Sequence, residues 1–283
     1  MSTSLTSAIV RSGLARGLIE FRLSFSGAEL VGQLFWPLVT VAAIWFFRGQ
    51  GIDGNGISLG ALMFPGVLGM FVAFGMVLVI QGLAADREDG TLLRAKATPG
   101  GIASYLLAKL VSVSLAVIVY LFVVAVPAGL IIPGLTMPGP WGWLTLGWVV
   151  LIGMTAAVLL GAVLGSLVSS PRGIGYSSLA VMALTAVSGI FYPLTALPVW
   201  VQWVGQAGPI YWLGLGMRSG LLPDSAAAVE ITQSWRTLET AVALTAWALI
   251  GLVLAPLVLR RMAQRESGSR VVERRDQALH RVA

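Results

Sequence analysis

The sequence predicts an all-α, polytopic membrane protein, and three observations support this class. Apolar residues make up 57% of the 283-residue chain, charged residues only 11%, and the mean hydropathy is +0.88. Soluble proteins carry about 25% charged residues, so this composition indicates a chain that lies mostly in lipid. Several apolar runs are long enough to cross a bilayer as helices, and the alternating pattern of a membrane β-barrel is absent.

Six transmembrane helices are predicted from apolar runs that are bounded by charged or turn residues. They cover residues 30–47, 59–84, 105–132, 142–168, 173–192 and 237–259. We expect one transmembrane domain over residues 1–283. It comprises an N-terminal amphipathic interface helix (1–26), the six-helix bundle (27–259) and a basic cytoplasmic tail (260–283).

Basic residues predict the side of the membrane on which each connection lies, because cytoplasmic connections carry the excess of Lys and Arg. With both termini inside, only Arg48, Arg218 and Arg236 of the 18 basic residues lie outside. A seventh span over residues 193–216 would move the Arg-rich tail outside, so six spans are favoured. The net charge of +6 follows from this topology. The tail is expected to attract anionic lipid, and nucleic acid is not an expected partner.

The N-terminal segment predicts an amphipathic helix on the inner membrane surface. Its apolar stripe consists of Val10, Leu14, Leu18, Phe21 and Phe25, with Arg16 and Glu20 opposite and Arg11 and Arg22 near the lipid phosphates. We expect this helix to bind membrane lipid. Two roles fit its polar face, namely solvation or contact with a protein partner.

After the fifth span, residues 193–216 predict a re-entrant or interfacial element on the outer face. Pro193, Pro198 and Pro209 interrupt any single helix there. The aromatic side chains of this region suit the depth of the lipid headgroups, and they are Tyr192, Trp200, Trp203, Tyr211 and Trp212. Two interpretations fit, a plain aromatic belt or a structured outer cap or gate.

The connection between the second and third spans, ADREDGTLLRAKATPGG at residues 85–101, concentrates charge inside an apolar chain. Its charged residues are Asp86, Arg87, Glu88, Asp89, Arg94 and Lys96. Gly90 permits a break after the second span, Asp89 or Thr91 can cap a short helix, and the Pro-Gly-Gly sequence ends it. We expect Leu92 and Leu93 to pack on the bundle, and the residues facing the cytosol to be Asp86, Glu88, Asp89 and Arg94.

The sequence contains no pattern for catalysis or metal binding. The chain has no Cys and one His, so it cannot form a thiolate zinc site, a disulfide or a His-based triad. It has no G-x-x-x-x-G-K-[ST] phosphate-binding loop, and no central Asp, Glu or His in a predicted span to relay protons. A self-powered ATPase and a proton-coupled carrier are therefore both disfavoured, and any driving energy would come from another subunit.

Two patterns within the predicted spans have alternative interpretations. Ala157, Gly161, Gly165 and Ser169 recur every four residues on the fourth span, which favours close helix packing within one chain or between two copies. A set of aromatic residues either faces lipid or lines a pathway for a hydrophobic or amphiphilic substrate. Its members are Phe35, Trp36, Phe71, Phe74, Phe191 and Tyr192.

Two segments resemble permeases of the type 2 ATP-binding-cassette exporter family. The first, DREDGTLLRAKATPGGIASYLLAKL, has an acidic-basic-acidic cluster, Gly-Thr-Leu and Thr-Pro before the third span. The second, SGIFYPLTALPVWVQWVGQAGPIYWLGLGMR, has spaced prolines and Pro-x-Tyr before a Gly-rich, Arg-ended stretch. The likeness extends along essentially the whole chain, and within the family it is to drug-efflux permeases of the daunorubicin-resistance type. Lys96-Ala97 departs from the apolar pair that members often carry.

The resemblance implies a half-transporter in a prokaryotic plasma membrane that exports drugs or similar hydrophobic or amphiphilic compounds. It implies a second copy or a related permease as partner, and a separate nucleotide-binding ATPase subunit that holds ATP and Mg. The coupling residues would be Asp86, Arg87, Glu88, Asp89, Gly90, Thr91, Leu92 and Arg94 of the loop, with Arg11, Arg16, Glu20 and Arg22 of the interface helix. The alternatives are an exporter of polysaccharide or lipid-linked glycan, and a non-transporting immunity or scaffold protein.

Overall fold

The computed structural model describes residues 2–48, 59–132, 138–168 and 170–265, and the regular structure in these ranges is helical. The α-helices are α1 (Ser2–Ser24), α2 (Glu29–Phe47), α3 (Leu59–Glu88), α4 (Thr91–Lys96), α5 (Gly101–Ile131), α6 (Pro140–Leu167), α7 (Pro171–Val187), α8 (Val199–Ala207), α9 (Pro209–Leu221) and α10 (Thr237–Arg265). Short 3-10 helices cover Leu194–Ala196, Asp224–Val229 and Ile231–Gln233. The predicted all-α class is confirmed. The basic tail that was predicted from residue 260 lies outside the described residues beyond Arg265.

Five helices in the described ranges are long and apolar enough to cross a membrane, namely α2, α3, α5, α6 and α10. They coincide with five of the six predicted spans. The remaining prediction, residues 173–192, falls on α7, which has only 17 residues and is about 25 Å long at 1.5 Å per residue. This helix ends before the predicted boundary because Gly189 adopts a left-handed backbone, with φ of 68°.

The packing shows that the chain passes along the bundle a sixth time through α7. The end of α6 contacts the end of α3, where Arg87 donates to the carbonyl oxygens of Gly165 and Ser166. The start of α10 lies at the other end of the bundle, where Gly216 of α9 packs against Val149 and Thr240. Since α6 ends at one end and α10 begins at the other, the chain between them must cross, and α7 is the helix that does so.

We call the end of the bundle that holds α1, α4, the start of α5 and the end of α6 the basic end. The other end is called the opposite end.

Small residues allow α3 and α6 to approach closely in the centre of the bundle. A Cβ atom added to Gly161 would lie 2.7 Å from the Met76 carbonyl oxygen, and one added to Gly165 would lie 3.2 Å from the Ile80 Cα. Ala157 is fully buried on the same face. The small residues at 157, 161 and 165 therefore pack within one chain. This was one of the two interpretations of the pattern, the other being contact between two copies. Ser169, its fourth predicted member, lies outside the described residues.

The predicted re-entrant element is a pair of short helices, α8 and α9, broken at Gly208-Pro209. Helix α9 runs antiparallel to α6, since Gly220, Gly216 and Leu213 of α9 contact Gly142, Val149 and Gly153 of α6 in turn. It therefore reaches from the middle of the bundle back to the opposite end. The prolines act as expected, because Pro193 and Pro198 precede short helices and Pro209 begins α9.

The aromatic belt predicted for this region is correct for only part of it. Trp200 and Trp203 on α8 are exposed, and Tyr192 is at the border between partly buried and exposed. Tyr211 and Trp212 are instead buried. They belong to α9, which is inserted among α3, α6 and α10, and so their rings pack in the bundle rather than at the lipid headgroups.

Candidate functional site: a charged elbow and an aromatic cleft

The charged loop of the sequence forms an elbow, which we define as residues 86–101. Gly90 has φ of 68° and turns the chain from α3 into the six-residue α4, and Gly100, with φ of 70°, turns it into α5. Gly90 itself occupies the position before α4, so the predicted capping by Asp89 or Thr91 is wrong. Leu92 is fully buried and fixes α4 to the bundle, as predicted.

The elbow residues divide into an outward and an inward group. Asp89 and Arg94 are exposed, and Glu88 and Thr91 are partly exposed. Asp86 and Arg87 point into the protein, which corrects the expectation that Asp86 faces the cytosol. The reason is that α3 continues as a helix to Glu88, so the two residues belong to its packed last turn.

Asp86 belongs to a network of charged and polar side chains that joins α1, α3 and α5. Its carboxylate is 2.7 Å from the Lys109 ammonium and accepts a hydrogen bond of 2.6 Å from the Tyr105 hydroxyl. Lys109 also contacts Glu20 of α1 at 3.0 Å, and Glu20 pairs with Arg16 at 2.9 Å. We call these five residues the elbow network. Lys109 is its centre, because it bridges a carboxylate of α1 and a carboxylate of α3.

The elbow network keeps Glu20 ionised although its side chain is largely buried. Burial raises the pKa of the Glu20 carboxyl, but the charge of Lys109 and the hydrogen bonds from Arg16 and Lys109 lower it by more. The resulting pKa lies below its ordinary value of 4.5. The ion pairs are therefore fully formed at neutral pH.

Helix α1 packs lengthwise on the start of α5 through two glycines. A Cβ atom added to Gly13 would lie 2.9 Å from Leu107, and one added to Gly17 would lie 2.8 Å from the Ala108 carbonyl oxygen. The Ser12 and Ser104 hydroxyls are 2.8 Å apart in the same interface. The G-x-x-x-G spacing of Gly13 and Gly17 is the sequence signal from which this α1–α5 packing could have been predicted.

The faces of α1 differ in part from the prediction. Val10, Leu14 and Leu18 are exposed, which suits contact with lipid, and Arg11 and Arg22 are exposed at the flanks. Arg16 and Glu20, predicted on a polar face for solvent or another protein, instead bond within the chain. Their partner charge, Lys109, belongs to α5, so a helical-wheel projection of α1 alone could not predict these contacts.

Arg87 joins the same turn of α3 to the end of α6 and to α10. Its guanidinium donates to the carbonyl oxygens of Gly165 at 2.9 Å and Ser166 at 3.2 Å, and it also contacts the Val168 carbonyl and Met262 Sδ. The final carbonyls of a helix lack partners within that helix, and a cation satisfies them well. Asp86 and Arg87 thus attach the elbow to different groups of helices.

A cleft of about 380 Å³ lies between α2, α3 and α5. It is lined by Glu29, Gly32, Gln33, Trp36, Pro37, Phe71, Phe74, Leu78, Gln81 and Tyr120. Three of the aromatic residues predicted to line a pathway meet there, namely Trp36, Phe71 and Phe74. Phe35 is exposed on α2 and does not line it, and Phe191 lies beyond α7 near Arg218.

A buried ion pair holds the opposite end together. Arg218 Nε of α9 lies 2.6 Å from Glu230 Oε1, with only 6% and 1% of the two side chains exposed. Arg218 also donates to the carbonyl oxygens of Gly189 and Ile190, at 3.3 and 3.4 Å. From the sequence, Arg218 is only a charge predicted on the outer side, because nothing near it indicates a partner twelve residues later.

Helices of this length and hydropathy, with a buried charge network at one end, define a multi-pass membrane protein. Among the described residues, no group of three or more His, Cys, Asp or Glu could hold a metal ion. The sequence model of the ABC-2 type transporter family matches residues 16–222, and the chain belongs to that family. It is the transmembrane component of an ABC transporter, which implies association with an ATP-binding subunit and dimerisation. A search of curated proteins found no match.

Proposed function

We propose that this chain is the membrane subunit of an ATP-driven exporter, and that its elbow receives the motion of a separate ATPase subunit. The elbow network is the observation that supports this role most directly. Glu88, Asp89 and Arg94 offer a polar outer surface, and the residues just before them are bonded to the rest of the bundle. The exposed charged residues can bind another subunit, and the bonded residues beside them attach the elbow to the bundle. Such an element is suited to transmitting force from that subunit to the helices.

Force applied to α4 would spread through two connections. The ion pair between Asp86 and Lys109 would transmit the force to α5. The ion pair between Lys109 and Glu20 would transmit it further to α1. Arg87 leads it into the ends of α6 and α10. Because an ion pair with little exposure resists separation more than a solvated one, these connections move as units.

The partner subunit would bind ATP and Mg, since the sequence has no phosphate-binding loop of the G-x-x-x-x-G-K-[ST] type. On this proposal the basic end and both termini lie in the cytoplasm of a prokaryotic cell, and the excess of Lys and Arg predicted for that side supports this orientation. A second copy or a related permease would complete the pathway.

The cleft supports a hydrophobic or amphiphilic cargo of the kind carried by daunorubicin-resistance-type permeases. Its volume of about 380 Å³ lies within the usual range of small-molecule sites. Aromatic rings line one part and amides another, so it offers apolar area together with a few polar contacts. A drug-sized amphiphile matches that combination.

Reconstituted vesicles with the chain and its ATPase subunit test the coupling role. We expect Glu88→Ala to reduce cargo movement about tenfold, because it removes a polar contact at the subunit boundary. Gly90→Pro should abolish movement, because proline cannot adopt the φ of 68° at that turn. Both variants should still insert and bind cargo, since neither touches the cleft.

Ser225→Ala, on the exposed surface of the opposite end, is the matched control and should transport normally. Normal ATP-dependent transport by both elbow variants would refute the proposed role of the elbow.

A further inference from the structure

The walls of the cleft have an unequal distribution of charge. Glu29 is its only charged lining residue among those that the structure describes, and no Lys or Arg lines it. No ion pair of the described residues involves Glu29, and its side chain lies on the exposed first turn of α2. The cleft therefore offers one carboxyl group and no basic side chain among the described residues.

Polar and aromatic lining residues are separated along the cleft. On α2, Glu29 and Gln33 precede Trp36, and their spacing of four and three residues places them on one face. On α3, Phe71 and Phe74 face the cleft well before Gln81. Because α2 begins and α3 ends at the basic end, the carboxylate and the amides lie towards that end and the rings lie deeper.

The aromatic part adds a second preference for positive charge. Trp36, Phe71, Phe74 and Tyr120 present rings to the same space. The faces of aromatic rings attract cations, and this attraction strengthens where water is excluded. The Tyr120 hydroxyl is already bonded to the Gln33 amide oxygen, so it is not free to donate to an anion. The Glu29 carboxylate and the aromatic rings therefore both favour binding of a cation over binding of an anion.

We propose that the cleft between α2, α3 and α5 binds organic cations with aromatic bodies, and that Glu29 is the residue that selects for their positive charge. This inference rests on the proposed export function, of which it specifies the substrate class. The cation would lie between Glu29 and Trp36, about 10 Å apart along α2 at 1.5 Å per residue, and the apolar body would lie against Phe71 and Phe74.

Tetraphenylphosphonium and tetraphenylborate provide the test, because they share size and shape and differ in the sign of their charge. Binding of each ion is measured by equilibrium dialysis against the full chain in phosphatidylcholine nanodiscs, without ATPase or nucleotide. We expect Glu29→Gln to weaken tetraphenylphosphonium binding about fivefold, as for a partly exposed charge pair. Tetraphenylborate binding should stay unchanged or become tighter, and added salt should reduce the effect on the cation.

Two further variants make the test specific. Glu239→Gln is the matched control, since Glu239 is also a first-turn carboxylate, on α10 and away from the cleft, and it should affect neither ion. Phe74→Ala should weaken binding of both ions, because it removes apolar area, and should weaken binding of the cation more, because it also removes a ring face that attracts positive charge. Equal weakening of both ions by Glu29→Gln, or no change for either, would overturn the proposal.

The binding assay separates this inference from the proposed function. The chain could bind cations selectively through Glu29 and yet move no cargo with its ATPase subunit. That result would support the proposed binding site and contradict the proposed export function. ATP-driven export together with identical binding of the two ions by wild type and Glu29→Gln would contradict the site alone.

Discussion

At the scale of single residues, Lys109 decides how the basic end is organised. It lies between Glu20 and Asp86, two carboxylates that would repel each other without it. From the sequence, Lys109 is a cation near the end of a span, and its use in a network depends on α1 folding back along α5. Distance along the chain hides such a contact, since 89 residues separate Lys109 from Glu20.

Glu20→Gln should lower stability at neutral pH by about 1 kcal/mol, because it removes charge-assisted bonds to Lys109 and Arg16 that are partly screened by solvent. The folded state lowers the pKa of Glu20, so this stabilisation is complete above the ordinary value of 4.5 and is lost as pH falls through the lowered pKa. The difference in melting temperature between wild type and variant should therefore shrink on acidification below pH 4.5. A difference that is constant with pH would contradict the ion-pair account.

At the scale of elements, α9 shows how a short helix can be buried within a bundle. Its glycines at 214, 216 and 220 permit close approach to Ile190, Val149 and Leu146. The prolines of this region correctly predicted interrupted helices. They could not decide between a re-entrant and an interfacial element, because the glycine-rich face of α9 is recognisable only against the surfaces of α3 and α6.

Arg218→Met should destabilise the protein by roughly 3–5 kcal/mol, because it leaves the Glu230 carboxylate buried without its ion pair. The double variant Arg218→Met with Glu230→Met should recover much of this loss, since neither charge then remains buried. Thermal unfolding in detergent measures both effects. Additive losses in the double variant would show that the two side chains act independently, against the contact in the structure.

At the scale of the whole molecule, hydropathy was sufficient to predict the helical class and five spans with ends within a few residues. The sequence did not predict that α7 stops at Val187, since an apolar run does not show where a left-handed glycine ends the helix. It also placed Asp86 among the residues that face the cytosol, because charge alone does not distinguish a solvated side chain from one that bonds a neighbouring helix.

The topology can be tested with introduced cysteines, because the natural chain has none. Ala97→Cys on the elbow and Ser225→Cys at the opposite end are both exposed, and α5, α6 and α7 separate them. Three crossings place the two positions on opposite sides of the membrane. We expect a membrane-impermeant maleimide to label only the Ser225→Cys protein in intact cells. Labelling of both positions in intact cells, or of neither although both react after permeabilisation, would put them on one side of the membrane and mean that α7 does not cross.

The neighbouring positions of Asp86 and Arg87 have a mechanical consequence. Consecutive side chains on an α-helix diverge by about 100°, so one last turn of α3 is attached on different sides to α1 with α5 and to α6 with α10. A small rotation of α3 about its own axis would pull on one attachment while it relaxes the other. A push at the end of α3 would therefore act in different directions on these two groups of helices and would shift them relative to each other.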